Sequence, residues 1–220
     1  MFDPVLMPPD HSAYPEGLKK FLEGKPSPHL SAIGNLDLLR NPAIALFCST
    51  HCPDHLAHQT CVWVKKLRDA QIPTISGFHS PVEKACCRLL MQAPQPTPTI
   101  HCPARSLHNL RLSPLQKTAI EAQRLLLLSP FPASQKRATA TLAERRNRLV
   151  DAIATSVFIA YATPGGKTEK LAQTLALRGK QIFTCDSPDT LNLRQHGAEI
   201  MDLDISSHNY CREQRPDSSH

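Results

Sequence analysis

The sequence predicts an α/β domain, a mostly parallel sheet with helices on both faces. Three observations predict it. Short apolar runs recur at Ala43–Phe47, within Arg124–Ser129 and at Val157–Tyr161, without the polar alternation of a strand that has one wet face. Between the last two lies Thr139–Ala154, free of Gly and Pro, with Leu142, Leu149 and Ile153 at helical spacing. Turn residues then close run after run: Pro130 and Pro132, Pro164-Gly165-Gly166, Gly179. Strand, helix, strand, helix, strand in succession is the pattern of parallel strands joined by crossover helices.

Taken in order, residues 1–40 form an N-terminal extension, expected to place one or two short helices on the core. Gly34 to Leu39 reads as a turn leading into a helical turn, and Asn41-Pro42 breaks the chain. The main domain is expected over 41–205. Ala43–Phe47 is its first strand. A helix follows over Asp54–Ala70, with Asp54 as N-cap, Leu56, Val64 and Leu67 buried, and Trp63 read as a packing residue. Pro73–Ser76 is a strand closed by Gly77, and Pro81–Met91 is a helix with proline in its first turn. After a connector over Ala93–Pro98 come a strand at Thr99–Cys102, a loop or helical turn from Arg105, and a helix start at Ser113-Pro114. The central stretch supplies strands at Arg124–Ser129, Val157–Tyr161 and Gln181–Thr184, and helices at Thr139–Ala154 and Lys167–Leu177, the second closed by Arg178 and Gly179. A small helix at Thr190–His196 and an edge strand at Glu199–Leu203 complete the domain. The tail, 206–220, has too little apolar surface to fold alone.

The chain has 220 residues, of which 41% are hydrophobic, enough for one packed domain with appendages. No apolar run is long enough to cross a bilayer, so no membrane partner is expected. The start, MFDPVLMPPD, does not read as a secretory signal, and a cytoplasmic location is expected. The net charge of +6 suits a polyanion partner. From Lys136 to Arg148, five basic residues face one acid, just where a helix follows a strand. In open α/β sheets that is the ligand edge. The eight cysteines form no CxxC pair and are expected to be reduced thiols. Cys48-Ser49-Thr50-His51-Cys52 lacks a second ligand pair, so neither metal nor cofactor is expected.

The turn Ala162-Thr163-Pro164-Gly165-Gly166-Lys167-Thr168 invites a Walker A reading. That motif needs a glycine where Tyr161 stands, which argues against a nucleoside triphosphatase. What survives is a glycine turn at a helix N-terminus, where free N–H groups and the helix dipole attract phosphate. Lys167 would add charge and Thr168 a hydroxyl. The plainer alternative is that both glycines only permit a tight turn. Ser49, Ser76 and Gly77 follow or end the first two strands and fall on the same sheet edge as Gly165. No Ser-His-Asp arrangement, GxSxG or HExxH is present, and catalysis is not expected.

In this order the motifs resemble the DprA/Smf family of DNA-processing proteins. That family has a strand ending in Gly-Ser-Arg, one ending in Ser-Gly-Leu, then Leu-Leu-Ser-Glu-x-Pro, Arg-Asn-Arg-Ile-Ile and a glycine-containing turn. Here stand Cys48-Ser49-Thr50, Ser76-Gly77-Phe78, Leu127-Leu128-Ser129-Pro130-Phe131-Pro132, Arg146-Asn147-Arg148-Leu149-Val150 and Gly165-Gly166-Lys167-Thr168. The resemblance implies a Rossmann-like domain, frequently a homodimer, that binds single-stranded DNA in DNA uptake (natural transformation) or recombination. It also implies protection of that DNA and help in loading the RecA recombinase, without catalysis. By motif match, Arg146 and Arg148 with Arg145 are the first candidates for phosphate contact. Ser49, Ser76, Gly77, Asn147, Gly165, Gly166, Lys167 and Thr168 would complete the site.

The departures are specific. Thr50 replaces the arginine of Gly-Ser-Arg and Cys48 its glycine, Pro81-Val82-Glu83 replaces Gly-Ile-Asp, and Cys87 replaces a histidine. The residues after the sheet are also too few for the family's C-terminal winged-helix domain, so a short form is expected. The rival resemblance is to LOG-type nucleoside-monophosphate phosphoribohydrolases, with their Pro-Gly-Gly-x-Gly-Thr-x-x-Glu motif. Here the third glycine is missing and Leu171 stands at the glutamate. A regulatory nucleotide-binding module is a third reading of the same turn.

Overall fold

The wholly apolar runs become strands because both their faces are covered. The computed structural model describes residues 2–21, 26–92 and 96–201. Its strands are β1 (Val5–Met7), β2 (Leu30–Gly34), β3 (Ile44–Phe47), β4 (Thr74–Ser76), β5 (Thr99–His101), β6 (Leu125–Ser129), β7 (Ser156–Ile159), β8 (Ile182–Thr184) and β9 (Glu199–Ile200). They form one sheet in the order β1-β2-β6-β5-β4-β3-β7-β8-β9. Every neighbouring pair from β6 to β9 is parallel, whereas β2 runs antiparallel to both β1 and β6.

The helices are α1 (Glu16–Phe21), α2 (Asp54–Asp69), α3 (Pro81–Met91), α4 (Pro114–Glu121), α5 (Ala140–Ile153), α6 (Lys167–Leu177) and α7 (Leu191–Gln195). Strand alternation assigns each side chain to a layer. Ile44, Leu46 and Phe158 pack with Leu56, Trp63 and Val64 of α2 and with Cys86 and Leu90 of α3. On the opposite face Ala45, Phe47, Val157 and Ile159 pack with Leu149 and Val150 of α5 and Ala172 and Leu175 of α6. β6 shows the same division, with Leu126 and Leu128 toward α5 and Leu125 and Leu127 toward α4. Trp63 is fully buried, its ring centroid 4.2 Å from that of Phe158, which makes it a packing residue.

From β3 the chain adds β4, β5 and β6 on one side, then crosses back to add β7, β8 and β9 on the other. The loops leaving β3 and β7 therefore diverge, and a crevice opens between them at the strand ends. The α/β expectation holds, with the parallel strands close to their expected bounds.

Two local expectations are corrected, and a third falls partly outside the described residues. The N-terminal residues were expected to contribute short helices, and α1 is one, but β1 and β2 join the sheet itself. Register with β6, with Ala32 opposite Leu128 and Ile33 opposite Leu127, is a long-range condition that local composition does not reveal. Asp54 is not the cap of α2, because Pro53 holds that position and no side chain caps the helix. The last strand ends at Ile200. Its expected continuation to Leu203, and the tail 206–220, lie outside the described residues. Among the described residues no helix is long and apolar enough to cross a membrane.

Candidate functional site

A cleft of about 370 Å³ lies beyond the ends of β3 and β7, at the point where strand order reverses. Ser49, Thr50 and His51 line it after β3, and His79, Ser80 and Glu83 line it at the start of α3. Arg146 and Asn147 reach it from α5, and Gly166, Lys167, Thr168 and Leu171 from the start of α6.

The glycine turn is built for φ, and both of its glycine N–H groups are bonded within the protein, that of Gly166 to Thr163 O (2.9 Å). Gly165 has φ +71, a left-handed conformation that costs glycine little. Its N–H donates to Glu169 Oε2 (2.7 Å), while Glu169 Oε1 accepts from Asn192 Nδ2 (2.6 Å). These bonds, the Gly165 N–H first, hold the Glu169 carboxyl below its ordinary pKa. Glu169 is thereby committed to fastening the turn. Gly166 opens α6 with no side-chain cap, whereas Ser80, Ser113 and Thr139 cap α3, α4 and α5. No side chain therefore caps the first N–H groups of α6, although Thr163 O accepts from the Gly166 N–H (2.9 Å) and the Glu169 carboxylate lies in the first turn.

Ser49 pins the two diverging loops together. Its Oγ accepts from Thr163 N–H (3.0 Å) and its N–H donates to Tyr161 O (3.0 Å). Ser76 differs from expectation: it is fully buried and does not line the cleft. Its Oγ donates to Leu46 O (2.7 Å) and accepts from Phe78 N–H (3.1 Å), so it locks the end of β4. Ser129 repeats the device at the end of β6, donating to Arg105 O (2.7 Å) and accepting from Phe131 N–H (3.2 Å).

The basic run on α5 divides in two. Successive helical residues are about 100° apart, so Arg146 and Arg148 cannot share a direction. Arg146 is 4% exposed, while Arg145 and Arg148 are exposed. The Arg146 guanidinium lies over Gly77, where any Cβ would overlap its Nη1 and Cζ. Nη1 donates to Cys102 O (3.1 Å) and Nε to Asn147 Oδ1 (2.7 Å). Burial lowers the pKa of Arg146, and the negative charge of Glu83 opposes that. Glu83 in turn accepts from the N–H groups of Cys48 (2.9 Å), His79 (2.7 Å) and Ser80 (3.4 Å), tying β3 to the start of α3. Arg146, seated on Gly77, therefore acts first as a wall of the cleft. Arg145 lies outside the cleft, its guanidinium 5.6 Å from the Phe131 ring centre.

Lys167 stands at the mouth, its Nζ 2.7 Å from Glu144 Oε1, with both side chains exposed. The Lys167 bond and charge, then Arg148, hold the Glu144 carboxyl below its ordinary pKa. Among the described residues no group of three or more His, Cys, Asp or Glu side chains comes together to hold a metal ion.

His101, at the end of β5, packs edge-on against Phe78 with ring centres 5.3 Å apart. Burial, then the charge of Arg146, pushes its pKa from 6.5 down to about 4. Its neutral form therefore stabilises the fold above pH 6.5, and that contribution is lost as pH falls toward 4. Stability in urea should fall by roughly 2 kcal/mol between pH 7 and pH 5 on this account. His101→Gln should flatten that dependence; an unchanged slope would show that another group causes it.

Of the residues missed in the sequence, Glu83 had a readable signal. Ser80-Pro81-Val82-Glu83 has the spacing of a capping box, and both of its bonds form. His51 and Thr163 stood beside motifs already singled out, whereas His79 had no signal, since topology alone brings it to the cleft.

Fold and cleft together define a Rossmann-like domain with a glycine turn and a helix N-terminus at its switch point. The family model described as DNA recombination-mediator protein A matches residues 5–202, and the chain belongs to that family. No curated protein matches the sequence. Among solved structures it is similar to DNA processing protein A (DprA) from Streptococcus pneumoniae, with TM-score 0.73 and 19% identity over 90% of this chain and 70% of that one. It is also similar to DNA processing protein A from Helicobacter pylori, solved for its unique single-stranded DNA binding mode. There the TM-score is 0.68 and the identity 21%, over 86% of this chain and 88% of that one. A molybdenum cofactor binding protein from Rippkaea orientalis shares the fold more loosely, with TM-score 0.50 and 13% identity over 74% of this chain and 90% of that one. At these identities the likeness concerns the fold.

Proposed function

We propose that this chain binds single-stranded DNA, holding a backbone phosphate in the cleft at the N-terminus of α6, and that it does so without catalysis. The observation that carries this reading is the uncapped helix start at Gly166, flanked by Lys167 and Thr168 in a cleft at the sheet's switch point. Family membership and the single-stranded DNA bound by the Helicobacter pylori protein support the choice of ligand. The binding is proposed to serve DNA uptake or recombination, with the chain protecting the strand as a homodimer and assisting a RecA-type recombinase. Contacts to phosphate carry no base information, so sequence preference should be weak.

The rival hydrolase reading meets a chemical obstacle. Leu171 lines the cleft in place of a catalytic glutamate, while the nearby carboxylates Glu83 and Glu169 are held by backbone N–H groups. Competition separates the two readings. A labelled single-stranded oligonucleotide should bind, and neither AMP nor duplex DNA should displace it at equal concentration. Displacement by AMP, or release of adenine from it, would favour the nucleotide reading.

Glu144 should act against binding, since it occupies Lys167. The pair is exposed and weak, so Glu144→Gln should tighten oligonucleotide binding roughly two- to fivefold. Weaker binding by that variant would mean that Glu144 organises the site instead.

A further inference from the structure

The cleft does not end at Lys167. It continues into a groove of about 630 Å³ between α5 and α6, and the two share Thr50, His79, Asn147, Lys167 and Leu171. Along α6 and its C-cap the groove is lined by Lys167, Lys170, Leu171, Thr174 and Arg178. These positions recur every three or four residues, so they form one stripe along the helix, about 16 Å long by the helical rise.

The charge along this stripe is one-sided. α5 contributes Arg148, together with the acids Glu144 and Asp151. Both acids are engaged: Glu144 with Lys167 at 2.7 Å, and Asp151 with Arg178 at 3.0 Å and Lys180 at 3.8 Å. Asp151 is buried, whereas the Arg178 side chain remains 44% exposed to the groove side of that pair. The side chain of Lys170 is exposed and has no ion pair among the described residues. His79 is the only ring in the lining among the described residues, so the groove offers charges and hydroxyls rather than stacking platforms.

We propose that this groove is the track along which a single strand leaves the cleft, with Lys170 and Arg178 meeting the phosphates that follow the one held at α6. The proposal rests on the single-stranded DNA reading and extends it to residues that reading does not need. Continuity with the cleft and a net positive, ring-poor lining are what a sequence-tolerant phosphate track requires.

The test compares oligothymidylates of about 4 and about 16 nucleotides, a span typical of single-strand site sizes. Binding of each to the full chain is measured by anisotropy across a salt series, for wild type, Lys170→Ala, Lys170→Glu and the charge-conserving Lys170→Arg. The short oligomer should bind all four alike. The long one should bind Lys170→Ala several-fold more weakly and Lys170→Glu more weakly still, with a log–log salt slope smaller by about 0.7 in Lys170→Ala. Lys170→Arg should match wild type. If Lys170→Glu leaves long-oligomer affinity and slope unchanged, the track is wrong while the cleft reading stands. An equal loss on both lengths would also overturn the track, placing Lys170 in the cleft itself. Wild type binding neither oligomer would overturn the DNA reading and the track with it.

Discussion

Replacing Arg146 with alanine should destabilise the domain by roughly 3–5 kcal/mol, the range for removing one partner from a buried charged arrangement. For a chain of this size that lowers Tm by roughly 10 °C. The guanidinium is nearly inaccessible, donates to Cys102 O and Asn147 Oδ1, and offsets the charge of Glu83. Its loss leaves a void above Gly77 and a buried carboxylate without its counter-charge. Arg146→Lys should not restore stability, because a single ammonium cannot make both bonds from one planar group. Gly77→Ala should approach the same loss from the other side, since the new methyl group would occupy the guanidinium's place. The two changes attack one contact, so the double variant should be less unstable than the sum of the singles. Urea melts of the four proteins test this. Strict additivity, or single losses below about 0.5 kcal/mol, would show that the Gly77–Arg146 contact does not hold the wall.

Lys167→Ala and Arg148→Ala should have the opposite profile. Both side chains are exposed, so each variant should melt within about 0.5 kcal/mol of wild type. Each should weaken single-strand binding roughly tenfold, the worth of a charge-assisted contact of about 1.5 kcal/mol. The loss should be similar for any base sequence, because these cations would meet phosphates. A variant that loses affinity for one sequence only would point to base readout and against this arrangement.

The contrast between Arg146 and Arg148 also marks how far the sequence could be read. The run Glu144-Arg145-Arg146-Asn147-Arg148 was legible as a basic cluster on a helix, and the structure places Arg146 and Asn147 of it in the lining of the cleft. Which arginine turns inward depends on helix rotation against Gly77, a residue on a distant strand end. Ser76 was legible as a strand terminus, but its commitment to Leu46 O and Phe78 N–H is a tertiary fact. The parallel strands were legible because their apolar runs admit only burial on both faces. β1 and β2 were not, because β1 has three residues and β2 takes its role from pairing antiparallel to β6. The glycine turn was legible as a tight turn opening a helix, while the locking of Glu169 onto Gly165 required the fold.

The measurement that tests the central claim most directly is the salt dependence of oligonucleotide binding in wild type and in the Lys167→Ala, Arg148→Ala double variant. Log affinity should fall linearly with log salt in wild type, and the slope should shrink by about 1.4 in the double variant, about 0.7 for each lost cation. Equal slopes in the two proteins, or wild-type binding indifferent to salt, would contradict the claim and move the strand away from the cleft and from the adjoining groove that Arg148 lines.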